Sequence, residues 1–179
     1  LTESYERAEE LFGRAERYYA DYVKEWERFG EDYVLMCNAA LVQTIGAHKL
    51  VQDYLTGEML FLSCECGSGA CMATPDVSYP SAPLFLKYNP ELVRGMLRSI
   101  FEFARKKVWV YPFAPHDVGL YPLANGQFYA LKYEGEYAKN FSTRKSEKFT
   151  MNRVFLLPEN SDDYDYTKQM PVEECSNML

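Results

Sequence analysis

The sequence predicts a mainly helical fold with long irregular loops and one short β-hairpin. Three observations carry this expectation. Apolar residues recur every three or four positions along three long stretches, which is the spacing of one helix face. The clearest helix-start signal, Asn89-Pro90-Glu91, heads the third of these stretches. The segments between them are rich in Gly, Ser, Cys and Pro and hold a short apolar run at 59–62, the seed of a hairpin.

The first helix is expected over 2–29, where Tyr5, Ala8, Leu11, Phe12, Ala15, Tyr18, Tyr19 and Tyr22 form the stripe. Thr2 or Ser4 can cap it, early glutamates suit the positive end of its dipole, and Gly30 ends it. A second helix is expected over 31–52 on the stripe Val34, Leu35, Leu41, Val42, Ile45 and Leu50, with small residues beside it. This places His48 in a helix as a packing residue. The third is expected from Pro90 to near Lys106, capped by Asn89 and striped by Leu92, Val93, Met96, Leu97, Ile100 and Phe101. Irregular chain is expected over 58–85 and 109–125. A polar segment over 132–168 holds one strand-like run at 149–157, and Pro171 looks like the start of a last helix.

At 179 residues the chain is long enough for one domain burying roughly 70% of its unfolded surface. A 47% apolar, 25% charged composition excludes disordered, collagen-like and coiled-coil classes. No apolar run approaches the ~20 residues of a membrane span. The net charge of −7 disfavours nucleic acid, whose phosphates it would repel. Fifteen tyrosines offer flat surfaces with a hydroxyl, which suit a polar cleft or a Tyr-rich core. The chain begins without Met or a leader and stops as an apolar segment begins, so it reads as a piece of a larger protein.

Candidate chemistry concentrates in the loops. Cys64, Cys66 and Cys71 cluster, but with Cys37 and Cys175 they lack the paired spacing of a zinc site, so a local disulfide or free thiols are expected instead. A catalytic thiol would need a base, and His48 and His116 are the two histidines. His116-Asp117 lies in a Pro-bounded, Gly-ended loop and reads either as a site or as a bracing pair. Glu173 and Glu174 follow Pro171 at a helix start; adjacent residues point apart on a helix, so at most one faces a given cleft. Alternatively both simply complement the helix dipole. With Glu65 and Asp76, these acids can supply the pair that acid/base hydrolysis needs, provided the fold brings them together. No cofactor and no metal are called for.

Three ordered segments resemble the glutaminase A-like proteins of bacteria and fungi: the run at 76–92 from Asp76-Val77-Ser78-Tyr79-Pro80 to Asn89-Pro90-Glu91-Leu92, the run at 114–127 from Ala114-Pro115-His116-Asp117 to Gly126-Gln127, and the run at 170–179 beginning Met170-Pro171-Val172-Glu173-Glu174. The weaker match Gln43-Thr44-Ile45-Gly46-Ala47-His48 falls in the expected order. The resemblance implies a middle section of a secreted or periplasmic multidomain protein, namely the N-terminal part of an α/α toroid like that of six-hairpin glycosidases. It also implies a hydrolase of side-chain amides, with glycoside hydrolysis or a non-catalytic binding section as alternatives. The catalytic candidates are Asp117, Glu173, Glu174 and Glu65; His116, Asp76 and Tyr79 are the substrate-binding candidates. The partners implied are a small-molecule or carbohydrate substrate and the other domains of the parent chain, and the excised section is expected to be inactive alone. Around Glu65 the chain departs from the family pattern, keeping the acid but carrying Cys64 and Cys66 in place of its basic and amide neighbours.

Overall fold

A computed structural model describes residues 2–67, 69–122, 124, 126–130 and 164–179. It is mainly helical with one two-stranded sheet, and it divides into two compact units, Leu1–Gly46 and Ala47–Leu179.

The first unit is a helical hairpin. The predicted first helix forms as α1 (Thr2–Glu6) and α2 (Ala8–Trp26), followed by a single 3-10 turn, Glu27–Phe29. Gly30 then reverses the chain at φ +101°, a conformation that side chains with a Cβ disfavour. The return helix α3 (Glu31–Gly46) meets α2 through Tyr22, whose hydroxyl donates to the Cys37 carbonyl at 2.8 Å. Trp26, Phe29 and Tyr33 stack around the turn with ring centroids 5.1–6.1 Å apart.

The helix predicted over 31–52 stops short, at Gly46. Residues His48–Gln52 form strand β1 instead, antiparallel to β2 (Met59–Ser63), with His48 opposite Ser63 and Gln52 opposite Met59. The apolar run 59–62 needs a partner strand, and the adjoining Leu50 and Val51 supply it. Asp53 folds the connection by accepting from the backbone N–H groups of Leu55 and Thr56 at 2.8 and 2.9 Å. His48 is therefore in a strand rather than a helix. It is a packing residue nonetheless, buried and stacked on Phe61 at 4.6 Å.

The segment read as a loop over 58–85 ends in helix α4 (Pro75–Tyr88), despite Pro80 and Pro83 in its interior. Prolines there remove the donors that would reach the carbonyls of Asp76 and Tyr79. Burial of Ser78 and Phe85 outweighs that local loss, and Pro75 suits the first turn. Helix α5 (Pro90–Ala104) starts as predicted, with the Asn89 side chain accepting from the Glu91 N–H at 3.2 Å. It turns Met96, Ile100 and Phe103 into the core. The last helix, α6 (Pro171–Asn177), begins at the predicted proline and packs on α4. The strand-like run at 149–157 lies outside the described residues.

Two apolar clusters hold the second unit. Phe61, Phe85 and Met96 form one, between the sheet, α4 and α5. The other gathers Leu62, Met72, Ile100, Phe103, Val118 and Tyr164 around Trp109, whose indole N–H donates to the Phe113 carbonyl at 2.7 Å. α5 lies so close to β2 that a Cβ on Gly95 would stand 3.1 Å from the Phe61 nitrogen and 3.2 Å from its Cβ. Alanine at 95 gains up to about 1 kcal/mol of helix propensity. It must also push paired strand backbone away, an overpacking cost of about 1–3 kcal/mol. Gly95→Ala is thus expected to lower the urea unfolding midpoint, and a raised midpoint would show that the strand yields easily.

Candidate functional site

The site grows from the segment 70–73, which crosses the segment 118–121. Met72 N–H donates to the Gly119 carbonyl at 2.8 Å, Val118 N–H to the Met72 carbonyl at 3.0 Å, and Tyr121 N–H to the Ala70 carbonyl at 2.9 Å. This pairing anchors the loop that carries His116 and Asp117. Just beyond Met72 and Ala73 the chain enters α4, which presents Asp76 in its first turn. α6 then brings Glu174 in its own first turn.

Asp117 is completely buried, and both its oxygens are committed. Oδ1 accepts from the N–H groups of Gly119 and Phe128, each at 2.8 Å. Oδ2 accepts from Tyr129 N–H at 3.1 Å and lies 3.0 Å from His116 Nδ1. His116 is also buried. Its backbone N–H donates to Gln127 Oε1 at 2.7 Å, and its ring stacks on Tyr129 at 4.2 Å. Gln127 is itself held, donating to the Tyr129 carbonyl and to Gln169 Oε1. Asp117 thus fixes the ring of His116 and ties Nδ1, leaving Nε2 for other chemistry.

What faces His116 is acidic. Ligand atoms of Asp76, His116 and Glu174 all lie within 4.8 Å of one another. Glu174 is 1% exposed, and neither of its oxygens has a hydrogen-bond partner among the described residues; the same holds for Asp76 Oδ1. Burial pushes the Glu174 carboxyl up to about 8, with the charges of Asp76, Glu173 and Asp117 adding to the rise and His116 opposing it. Burial acts to lower the His116 pKa, but the hydrogen bond and charge of Asp117, with Glu174 and Asp76, outweigh it and raise the imidazole above its ordinary value.

A second group, Glu65, Cys71 and His116, also has ligand atoms within 4.8 Å. Glu65 accepts from Thr74 Oγ1 at 3.3 Å and from Gly69 N–H at 3.2 Å. Burial, with the charges of Asp117 and Glu65, drives the Cys71 thiol well above its usual range, so it is a poor thiolate nucleophile. All five cysteines are free thiols, and no disulfide forms.

The structure therefore places Asp76, His116 and Glu174 together, with Asp117 behind the imidazole and Glu65 on the Cys71 side. Glu173 is exposed, so of the two adjacent glutamates it is Glu174 that turns inward. Tyr79 is 61% exposed and lines a different feature, a cavity of about 250 Å³ that it shares with Pro75, Val93, Met96, Leu97 and Met178. Sequence reasoning missed Cys71 as a neighbour of His116, and it missed Gln127 and Tyr129 as supports. No spacing rule points to a glutamine that accepts from a backbone eleven residues earlier.

Residues 30–179 match the family model described as the glutaminase A six helical-hairpin domain. The chain is 28% identical over 151 residues to "Glutaminase A" of Aspergillus oryzae, covering 84% of this chain and 16% of that protein. It is 27% identical over 150 residues to a "Probable glutaminase" of Arthroderma benhamiae, covering 83% and 13% respectively. The chain thus spans less than a fifth of the length of either relative. No solved structure matches it. With its family match running from the Gly30 turn through the helix that carries Glu174, the chain belongs to the glutaminase A six helical-hairpin domain family.

Proposed function

We propose that the Asp76–His116–Glu174 cluster is part of the catalytic centre of a hydrolase that splits a side-chain amide with water and releases ammonia. The observation that carries this reading is the convergence of two carboxyls and an imidazole from three separate segments, one carboxyl being buried without a hydrogen-bond donor among the described residues. A fold rarely buries such a group without a task for it. The names of the two fungal relatives support the amide as substrate class. In this reading, a carboxyl of the cluster accepts a proton from the attacking water. A proton then passes to the departing nitrogen, which leaves as ammonia. Asp117 is a positioning residue that holds the imidazole. The wider reading places the chain as a section of an α/α toroid in a secreted or periplasmic protein whose other parts complete the cleft.

Glycoside hydrolysis is the second reading. Its retaining form sets two carboxyls about 5–5.5 Å apart, and carboxylate oxygens of Asp76 and Glu174 lie within 4.8 Å of one another. The test uses the full-length protein, incubated with glutamine and with a panel of oligosaccharides while ammonia and reducing ends are measured. Ammonia is expected from glutamine, and Glu174→Gln and Asp76→Asn are each expected to reduce its release by about 10²-fold or more. Reducing ends without ammonia would transfer the site to the glycosidase reading. Neither product from folded protein would leave a binding section.

A further inference from the structure

We propose that Asp76, His116 and Glu174 bind a divalent transition-metal ion. The inference extends the hydrolytic reading of the same cluster, but it rests on the donor set and on the burial of its acids. Two carboxyl oxygens and an imidazole nitrogen already lie within 4.8 Å of one another. On a zinc ion with bonds of about 2.0–2.2 Å, neighbouring ligand atoms sit roughly 3.3–3.5 Å apart, so small side-chain rotations close the remaining gap. His116 is arranged as metal-binding histidines are, with one ring nitrogen tied to a buried carboxylate and the other left for the ion.

The second, independent observation is the state of the acids. Glu174 is 1% exposed with both oxygens unpartnered among the described residues, and Asp76 Oδ1 is buried in the same condition. Three buried acceptors without donors would each carry a desolvation cost of about 1–3 kcal/mol. A cation coordinated by both acids would satisfy them together. The alternative group of Glu65, Cys71 and His116 is less suited, because both Glu65 oxygens already have donors in Thr74 and Gly69.

The donor set also selects the ion. One nitrogen and two oxygens suit Zn²⁺ or Mn²⁺; Ca²⁺ seeks six to eight oxygens, and Cu⁺ seeks thiolates. Three protein ligands leave a coordination position for water. An ion there supplies the positive charge that a carboxyl-rich cluster lacks, polarising that water and the amide oxygen. The sequence predicts no metal because the ligands come from three distant segments with no spacing motif between them.

The experiment strips the full-length protein with EDTA, dialyses it against Zn²⁺, Mn²⁺ or Ca²⁺, and measures bound metal and unfolding temperature without substrate. One Zn²⁺ or Mn²⁺ per chain is expected, with a raised unfolding temperature and no uptake of Ca²⁺. Glu174→Gln and Asp76→Asn are each expected to weaken binding by about 100-fold or more while keeping the native circular dichroism spectrum. Folded wild-type protein that takes up no transition metal would overturn the site, as would uptake undiminished in both variants. Because binding is read apart from turnover, loss of the metal site leaves the amide reading to its own assay. Absence of ammonia release likewise leaves the metal site standing.

Discussion

Asp117→Ala is expected to lower the unfolding free energy by about 3–5 kcal/mol, the range for removing one partner of a buried charged network. The side chain is fully buried and accepts from three backbone N–H groups as well as meeting His116. Alanine strands those donors where water does not reach, at about 1–3 kcal/mol each before relaxation. The loss spreads beyond one contact, since Gly119, Phe128 and Tyr129 belong to two chain segments that Asp117 staples together. Asp117→Asn is expected to cost less. The amide keeps one acceptor, but its NH₂ must face a donor wherever it points. Urea unfolding of both variants checks the order; a change below about 1 kcal/mol for alanine would show that the backbone donors find other partners.

Glu174 gives the second large effect, and its sign differs from that of an ordinary carboxylate. Its folded pKa of about 8 lies well above the usual value of 4.5, so between those limits the folded chain holds a proton that the unfolded chain has released. Stability is therefore highest below about pH 4.5 as far as this group is concerned, falls as pH rises towards 8, and then levels. His116, whose pKa is also raised, acts in the same direction: its contribution is present below its unfolded pKa and is lost as pH rises through the folded one. A shift of this size corresponds to on the order of 5 kcal/mol across the window. The measurement is denaturant unfolding in EDTA at pH 5 and pH 8, in wild type and Glu174→Gln. Most of the slope should vanish in the variant, and an equal slope in both would assign it to other groups.

How much of this was legible in advance varies by element. Helix α5 could be read because its start depends on local chemistry, with the Asn89 cap, Pro90 and Glu91 acting over three residues. The 31–52 helix was half right. Its apolar pattern continues through Leu50 and Val51, but Met59–Ser63 competes for the same residues as a strand partner, and that competition is non-local. α4 was missed because Pro80 and Pro83 read as breakers, whereas packing of Ser78 and Phe85 decides the matter. In the site, loops and helix starts offered Glu65, Asp76, Asp117 and Glu173 or Glu174 as acid/base candidates, with His116 set beside them as a substrate-binding residue. Their division of labour was hidden: that Asp117 is spent on backbone donors while Glu174 has none among the described residues follows from burial, which no residue spacing encodes.

The separation of the cluster along the chain also has a bearing on how the protein is made. Asp76 is translated long before Glu174, and the constellation cannot close until α6 has left the ribosome and docked on α4. Until then Asp76 and His116 face each other without their third member, beside apolar surface that α6 will cover. A nascent chain halted before α6 would therefore display an open, greasy mouth to chaperones and proteases.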